Sequence, residues 1–260
     1  MNESYVPEGH PRAESLKIRE RLVKYFKIGV VVPEGLIAHG RGEAFDYILG
    51  EKTIPPALDA IRVAAATLLL AKYPVISVNG NVAALVAEGV VKLARIINGK
   101  IEVNLFHRTL EREVMIQKIL KEAGADDVLG VGSRASVTIP ELSSERRRVD
   151  PDGILKADAV LVPLEDGDRT EALVKMGKVV IAIDLNPLSR TSKSASITIV
   201  DNVVRAIPKL VEEASKLRSE SRENLQRIVE GFDNRKNLSL CVEIIIQYLS
   251  KFYERDTSQR

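Results

Sequence analysis

The chain has 260 residues, with 38 Lys plus Arg against 36 Asp plus Glu, a formal charge of +2, and 45% hydrophobic and 28% charged residues. That balance predicts a packed soluble protein and argues against a nucleic-acid surface, for which six Tyr, five Phe and no Trp supply few stacking platforms. One cysteine excludes an internal disulfide or a cysteine-rich zinc site, and three histidines (His10, His39, His107) are too few for a histidine-built metal centre.

The N-terminus lacks the charged-then-apolar pattern of a secretion signal, and the apolar stretch Ala60–Tyr73 is interrupted by Arg62 and Lys72, so a cytoplasmic protein without a membrane span is expected. Residues 11–27 read as an amphipathic helix with Leu16, Leu22, Val23 and Phe26 on one stripe and Pro11 in its first turn. Next comes the run Gly35-Leu-Ile-Ala-His39-Gly40-Arg41-Gly42-Glu43-Ala-Phe-Asp46-Tyr47. Glycine lets a backbone approach an anion closely and arginine offers a flat fork of donors, so the run suits a phosphate-binding loop. It suits a plain glycine-rich connection between helices equally well. A short helix is expected from Glu43 to Leu49, and Pro55-Pro56 opens an apolar helix over 57–72.

From there strands and helices alternate. Strands are predicted at Val75–Val78, Ile101–Phe106, Asp127–Gly130, Ala159–Val162, Val179–Ile183 and Ile197–Val200, with helices at 82–97, 110–123 and 170–177. Short β-rich runs separated by helices indicate an α/β protein with a mainly parallel, helix-covered sheet. The reading is one domain: a helical N-terminal segment (about 10–73), a sheet core (about 74–203) and a helical tail (about 204–253). Within the tail, Leu238–Phe252 carries Leu240, Val242, Ile244, Ile245, Ile246 and Leu249, so it must bury against this domain or a second subunit. Cys241, between Leu240 and Val242, is expected to be a small buried hydrophobe.

Ligands of open parallel sheets bind beyond the carboxyl ends of the strands. Nearly every predicted strand here exits into polar residues: Asn79-Gly-Asn81, His107-Arg108, Ser133-Arg134, Glu165-Asp166-Gly-Asp168-Arg169, Asp184 with Asn186, and Asp201-Asn202. Each alone suits a turn or cap, but six on one edge point to a site. Its mixed arginines and acids suit an enzyme that handles a nucleotide and a small anionic substrate. Basic clusters such as Arg146-Arg147-Arg148 read as local anion contacts or solvated faces. Two patterns are set aside. Gly130-Val-Gly132-Ser-Arg-Ala135 loosely fits a dinucleotide fingerprint, yet Val137-Thr-Ile-Pro140 after it does not start the helix that the motif needs. His39 and Glu43, four apart, have no third metal ligand nearby.

With these segments in hand, the chain resembles the archaeal 4-phosphopantoate–β-alanine ligase family, also called phosphopantothenate synthetase. The resemblance spans about His10 to Phe252. It rests on His10-Pro11-Arg12, Arg19-Glu20, the Gly35–Tyr47 run, Pro163-Leu-Glu-Asp-Gly-Asp-Arg169, Ile183-Asp-Leu-Asn-Pro-Leu-Ser-Arg-Thr191 and Val200-Asp-Asn-Val203. It implies a Rossmann-like core, a homodimer, and ATP with Mg²⁺ to join 4-phosphopantoate to β-alanine in coenzyme A biosynthesis, releasing AMP and diphosphate. By motif, the ATP-contacting positions would be Arg19, Arg41, Asp184, Leu185, Asn186, Arg190, Thr191, Asn202 and Val203. Arg41 and Arg19 are expected to clamp phosphates, and Asp184 and Asn186 to orient the adenosine or its ribose. His39, Asn81, His107, Arg108 and Arg134 are the candidates for holding the acid substrate. A ligase or kinase for another small acid, and a non-catalytic nucleotide sensor, are the competing readings; turnover separates the last.

Overall fold

Short runs of β-branched residues, buried on both sides, make the centre of the sheet: every residue of Pro74–Val78 and Ala159–Pro163 is buried. The computed structural model describes residues 6–7, 9–164 and 167–257, with side chains as far as Lys251 in the last helix. In chain order the first elements are α1 (Ala13–Lys27), α2 (Pro33–Leu49), α3 (Pro55–Leu70), β1 (Pro74–Val78), α4 (Gly80–Ile97), β2 (Lys100–Val103) and α5 (Leu110–Glu122). There follow β3 (Val137–Thr138), β4 (Arg148–Val149), β5 (Ala159–Pro163), α6 (Gly167–Lys175), β6 (Val179–Ile183), α7 (Arg190–Ser194), β7 (Ile197–Ile199), α8 (Val203–Leu217), α9 (Arg222–Val229) and α10 (Asn234–Thr257).

Five strands form one parallel sheet in the order β2-β1-β5-β6-β7, with Ile76 opposite Ile101 and Leu161, and Ile181 opposite Leu161 and Ile197. Side chains alternate across it. Ile76, Leu161, Ile181 and Ile183 point into the larger core with residues of α3, α4 and α8. Val75, Val160, Val162 and Val180 point into a smaller one, closed by Ile139, Leu142, Val149, Ile154 and the Ala172 and Leu173 of α6. The chain leaves β1 toward β2 on one side and returns to β5 on the other. That order reverses between β1 and β5, where a Rossmann-like sheet opens a crevice.

The α/β class and the helical segments at both ends agree with the sequence reading. Three local expectations do not. The Gly35–Tyr47 run is not a loop: it lies within α2, which starts at Pro33 and ends on Gly50 in the left-handed region (φ 83°). Three glycines lower helix propensity by about 1 kcal/mol each relative to alanine, yet tertiary packing overrides that. An added Cβ on Gly35 would lie 2.5 Å from Asn81 Oδ1, so the glycine serves close approach of α2 to α4 rather than a turn. The predicted strand at 127–130 shrinks to one parallel bridge between Leu129 and Glu102. The strand predicted to Phe106 ends at Val103, and Val137–Thr138 pairs antiparallel with Arg148–Val149 instead.

α10 divides its apolar residues. Leu238, Cys241 and Ile245 are buried in the core, whereas Leu240, Ile246, Tyr248 and Leu249 are exposed. Burial pushes the Cys241 thiol up to about 12, which keeps it an inert packing residue.

Candidate active site

The crevice at the strand ends is a cavity of about 570 Å³. Its walls come from the exits of β1 (Asn79, Gly80, Asn81), β2 (Leu105, Phe106, His107), β5 (Leu164), β6 (Asp184, Leu185, Asn186) and β7 (Asp201, Asn202, Val203). α2 lies across it, contributing Gly35, His39, Arg41, Gly42 and Phe45, while Arg112, Ser144, Arg146, Asp168 and Arg190 complete the rim. Leu164, directly after β5, has φ 99°, a left-handed backbone that is an outlier for a leucine. Such strain is concentrated at sites where surrounding structure over-determines the backbone. Glu165 and Asp166, part of the same motif, lie outside the described residues.

α2 has two ends in this site. Near its start Asn81 Nδ2 donates to the Gly35 carbonyl at 2.8 Å, and Glu34 lies 3.7 Å from the His107 imidazole. About two turns later, a Cβ on Gly42 would rest 3.5 Å from Leu185. The helix therefore runs from the β1–β2 exits to the β6 exit, and Arg41 belongs to the latter end.

The β6 exit is a self-bonded turn. Asp184 accepts from the Asn186 amide at 2.9 Å and from the Ser189 hydroxyl at 2.5 Å; Asn186 Oδ1 accepts from the Leu188 amide at 2.9 Å. Ser189 caps α7 by accepting from the Ser192 amide. This turn projects Arg190 outward, where its guanidinium meets Asp168 at 2.8 Å and Glu171 at 3.0 Å. The β7 exit is tied to α2 through charge. Asn202 Nδ2 donates to Asp46 at 3.0 Å, and Arg205 bridges Asp46 and Asp201 at 2.5 and 2.8 Å. Burial alone would lower the Arg205 pKa, but its hydrogen bond to Asp46 and the Asp201 charge outweigh that and raise it.

Of the residues nominated by the sequence, ten come together in the cavity wall: His39, Arg41, Asn81, His107, Asp184, Leu185, Asn186, Arg190, Asn202 and Val203. Four do not. Arg19 clamps the Glu43 carboxylate with Nε and Nη2 at 2.9 and 2.7 Å. Burial would raise the Glu43 pKa, but the Arg19 and Tyr47 hydrogen bonds outweigh it and hold the carboxyl below its usual value. Thr191 is fully buried in α7. Arg108 is an interior tie: it pairs with Glu113 and donates to the carbonyls of Gly130 at 2.6 Å and Arg148 at 2.8 Å. Arg134 braces the same region against Asp127 at 2.8 Å and Asp150 at 3.0 Å. The cations that the fold brings to the cavity in their place are Arg112 and Arg146. Arg112 carried no sequence signal, because it reads as one more charge on an amphipathic helix; Arg146 stood only within a basic cluster.

Burial lowers the His39 pKa below its usual value, so at neutral pH the imidazole is a neutral hydrogen-bonding group. Among the described residues no group of three or more His, Cys, Asp or Glu is placed to hold a metal ion, and no helix is long and apolar enough to cross a membrane. The site is therefore an anion-rich-ligand crevice: two arginines and a tight turn at one end, two arginines and a histidine at the other, with apolar walls between.

Residues 56–248 match the model of the phosphopantothenate/pantothenate synthetase family. A protein of Thermococcus kodakarensis named 4-phosphopantoate–beta-alanine ligase is 54% identical over 256 residues, 98% of this chain and 97% of that protein. Proteins of the same name from Thermococcus onnurineus and Methanosarcina mazei are each 52% identical, covering 96% and 94% of this chain and 95% of each relative. With likeness extending through every wall of the crevice, the chain belongs to the phosphopantothenate/pantothenate synthetase family.

Proposed function

We propose that the protein is an ATP-dependent ligase that condenses 4-phosphopantoate with β-alanine to 4′-phosphopantothenate, releasing AMP and diphosphate, in coenzyme A biosynthesis. The observation that carries this is near-full-length identity above one half with ligases of that name, joined to a crevice able to hold a nucleotide and a second anion end to end. A carboxylate is a poor electrophile. Its oxygen attacks the α-phosphorus of ATP and diphosphate leaves, giving an acyl adenylate; the β-alanine amine then attacks the acyl carbon and AMP departs with the C–O bond pair. The amine proton passes to solvent or to a group of the site.

The chain's own contribution is positioning and charge neutralisation. The turn Asp184–Asn186, with Asn202 and Val203, receives the nucleoside, while Arg41 and Arg190 face the polyphosphate. Arg19 acts one step removed, by fixing Glu43 beneath α2. His39, uncharged and in the cavity wall, supplies a hydrogen bond to the reacting region. Mg²⁺ would enter with ATP as part of the co-substrate, because it is held mainly by substrate phosphates and water. The exposed Leu240, Ile246, Tyr248 and Leu249 on α10 suit a homodimer contact, and the enzyme works in the cytoplasm.

The test is AMP and diphosphate release by purified protein with Mg-ATP, 4-phosphopantoate and β-alanine, leaving out one component at a time. Release that needs all three is the expected result. Tight ATP binding with no release under any combination would instead favour a nucleotide sensor.

A further inference from the structure

We propose that His39 is the general base of the amide-forming step, taking the proton that the β-alanine nitrogen sheds as it bonds to the acyl carbon. This deepens the ligase reading and rests on it, because the acyl adenylate is that reading's intermediate.

Gly35, His39 and Gly42 stand at i, i+4 and i+7 of α2, on one stripe of the helix. Gly35 is held by Asn81 at the β1 exit, and Gly42 packs toward Leu185 at the β6 exit. With a rise of about 1.5 Å per residue, His39 lies roughly 6 Å along the axis from the one and about 4.5 Å from the other. It therefore lines the middle of the cavity. A nucleotide at the β6 and β7 exits and an acid lying beyond it meet there.

The other proton acceptors of the wall are committed to donors of the chain or stand away from that junction. Asp184 accepts from the Asn186 amide and the Ser189 hydroxyl. Asp201 accepts from Thr53 Oγ1 at 2.6 Å and pairs with Arg205 at 2.8 Å. Asp168 is paired with Arg190 at 2.8 Å, and Glu34 and His107 face each other at 3.7 Å at the β1–β2 end. Among the described residues no hydrogen bond engages the His39 ring.

Burial keeps that ring neutral at neutral pH, and a neutral imidazole has the lone pair that a base needs. Charges of both signs act on it. Glu43, one turn on in α2, and Asp46 favour the imidazolium, while Arg19 of α1 opposes it. Asp184 and Arg190 line the same cavity. Arg19 and Tyr47 clamp the Glu43 carboxylate, so its charge is largely balanced while the ring rests. It stays within Coulomb range of the imidazolium that the reaction forms.

The lone pair of the free amine forms the N–C bond, which leaves the nitrogen cationic and acidic. His39 takes one N–H proton. The acyl C–O bond then breaks, its electron pair departs on AMP, and the imidazolium returns the proton to solvent. Without the base the cationic nitrogen is the better leaving group, and the amine is expelled in place of AMP.

The experiment measures ATP–diphosphate exchange with 4-phosphopantoate, which reports adenylate formation without β-alanine, beside AMP release with all substrates. It compares the full-length wild type with His39→Gln and His39→Ala, two residues that suit a helix. Amide formation should fall by roughly 10²- to 10⁴-fold in both variants, and exchange by less than about tenfold. In the wild type, log kcat/KM for β-alanine should climb with pH at a slope of two below the His39 pKa and one above it. Both the neutral ring and the free amine are then required; the variants should show the single slope throughout. Glu43→Gln should move the break to lower pH, because it removes a charge that favours the imidazolium and leaves Arg19 uncompensated. Equal losses in exchange and amide formation, or a break that survives in His39→Gln, would overturn the assignment while leaving the ligase intact. No exchange and no AMP release by the wild type would overturn the ligase reading and this base with it.

Discussion

Replacing Gly35 and Gly40 by alanine, one at a time, tests whether the glycine-rich run is a helix braced against α4. Both glycines lie inside α2. In a helix each change removes a residue that costs about 1 kcal/mol relative to alanine, a gain of roughly 0.5–1 kcal/mol in stability. For Gly40 nothing lies within 4 Å of the new Cβ, so the gain stands alone. For Gly35 the Cβ would lie 2.5 Å from Asn81 Oδ1 and 3.3 Å from a Val31 methyl, where ordinary contact begins at 3.4 Å. Either α2 shifts by most of an ångström or Asn81 swings away and its 2.8 Å bond to the Gly35 carbonyl breaks. Overpacking of this kind costs about 1–3 kcal/mol. The propensity gain is common to both variants and cancels in their difference, so Gly35→Ala should be about 1–3 kcal/mol less stable than Gly40→Ala. Because Asn81 lines the cavity, Gly35→Ala should also lower turnover. Urea unfolding of the three proteins reads the stabilities. A Gly40→Ala protein less stable than wild type would mean that residue 40 needs a backbone only glycine adopts, and the helical account of this run would fail.

Three further outcomes follow from the charge network and the tail. Arg205→Met leaves Asp46 and Asp201, with side chains 7% and 0% exposed, without their shared cation. A loss of about 3–5 kcal/mol in denaturant unfolding is expected, and a loss under 1 kcal/mol would show that the bridge is weak. Burial pushes the Glu102 carboxyl up to about 7, against the two backbone amides of Asp150 and Ile154 that lower it. Between 4.5 and about 7 the folded protein therefore holds a proton that the unfolded chain has released. The group costs nothing below that window, and up to about 3 kcal/mol above it. Relative to Glu102→Gln, the wild type should lose stability as pH rises through the window. The opposing acid sensitivity of His39 is shared by both proteins, and a pH-independent difference would refute the assignment. With the proposed homodimer contact on α10, Ile246→Asp, on its 57% exposed outer face, should halve the mass seen by light scattering while changing the subunit's own stability by less than about 0.5 kcal/mol; a wild type and variant of equal mass would remove α10 from any such contact.

The polar strand exits were readable from the sequence because a parallel sheet puts the carboxyl ends of all its strands on one edge. Asn81, His107, Asp184, Asn186 and Asn202 follow strand by strand from that rule, and all five line the cavity. So do the buried strands, whose Val/Ile runs need covering on both faces. Where side chains from separate elements compete for the same charge, local reading stopped. Arg108 and Arg112 are four residues apart, yet Arg108 meets Glu113 inside the protein while Arg112 turns to the cavity. Arg134 and Arg146 part in the same way, because Asp127 and Asp150 capture the first and Asn104 anchors the loop of the second. In the Gly35–Tyr47 run, composition favoured a loop, since glycine weakens isolated helices. Only the neighbours could reverse that, because an intimate α2–α4 contact requires a residue without a Cβ. Sequence by itself thus determined the fold class and the edge on which the ligands meet, both set by local periodicity and strand direction. Tertiary structure decided which arginines face those ligands, because each guanidinium's direction depends on carboxylates and carbonyls distant along the chain.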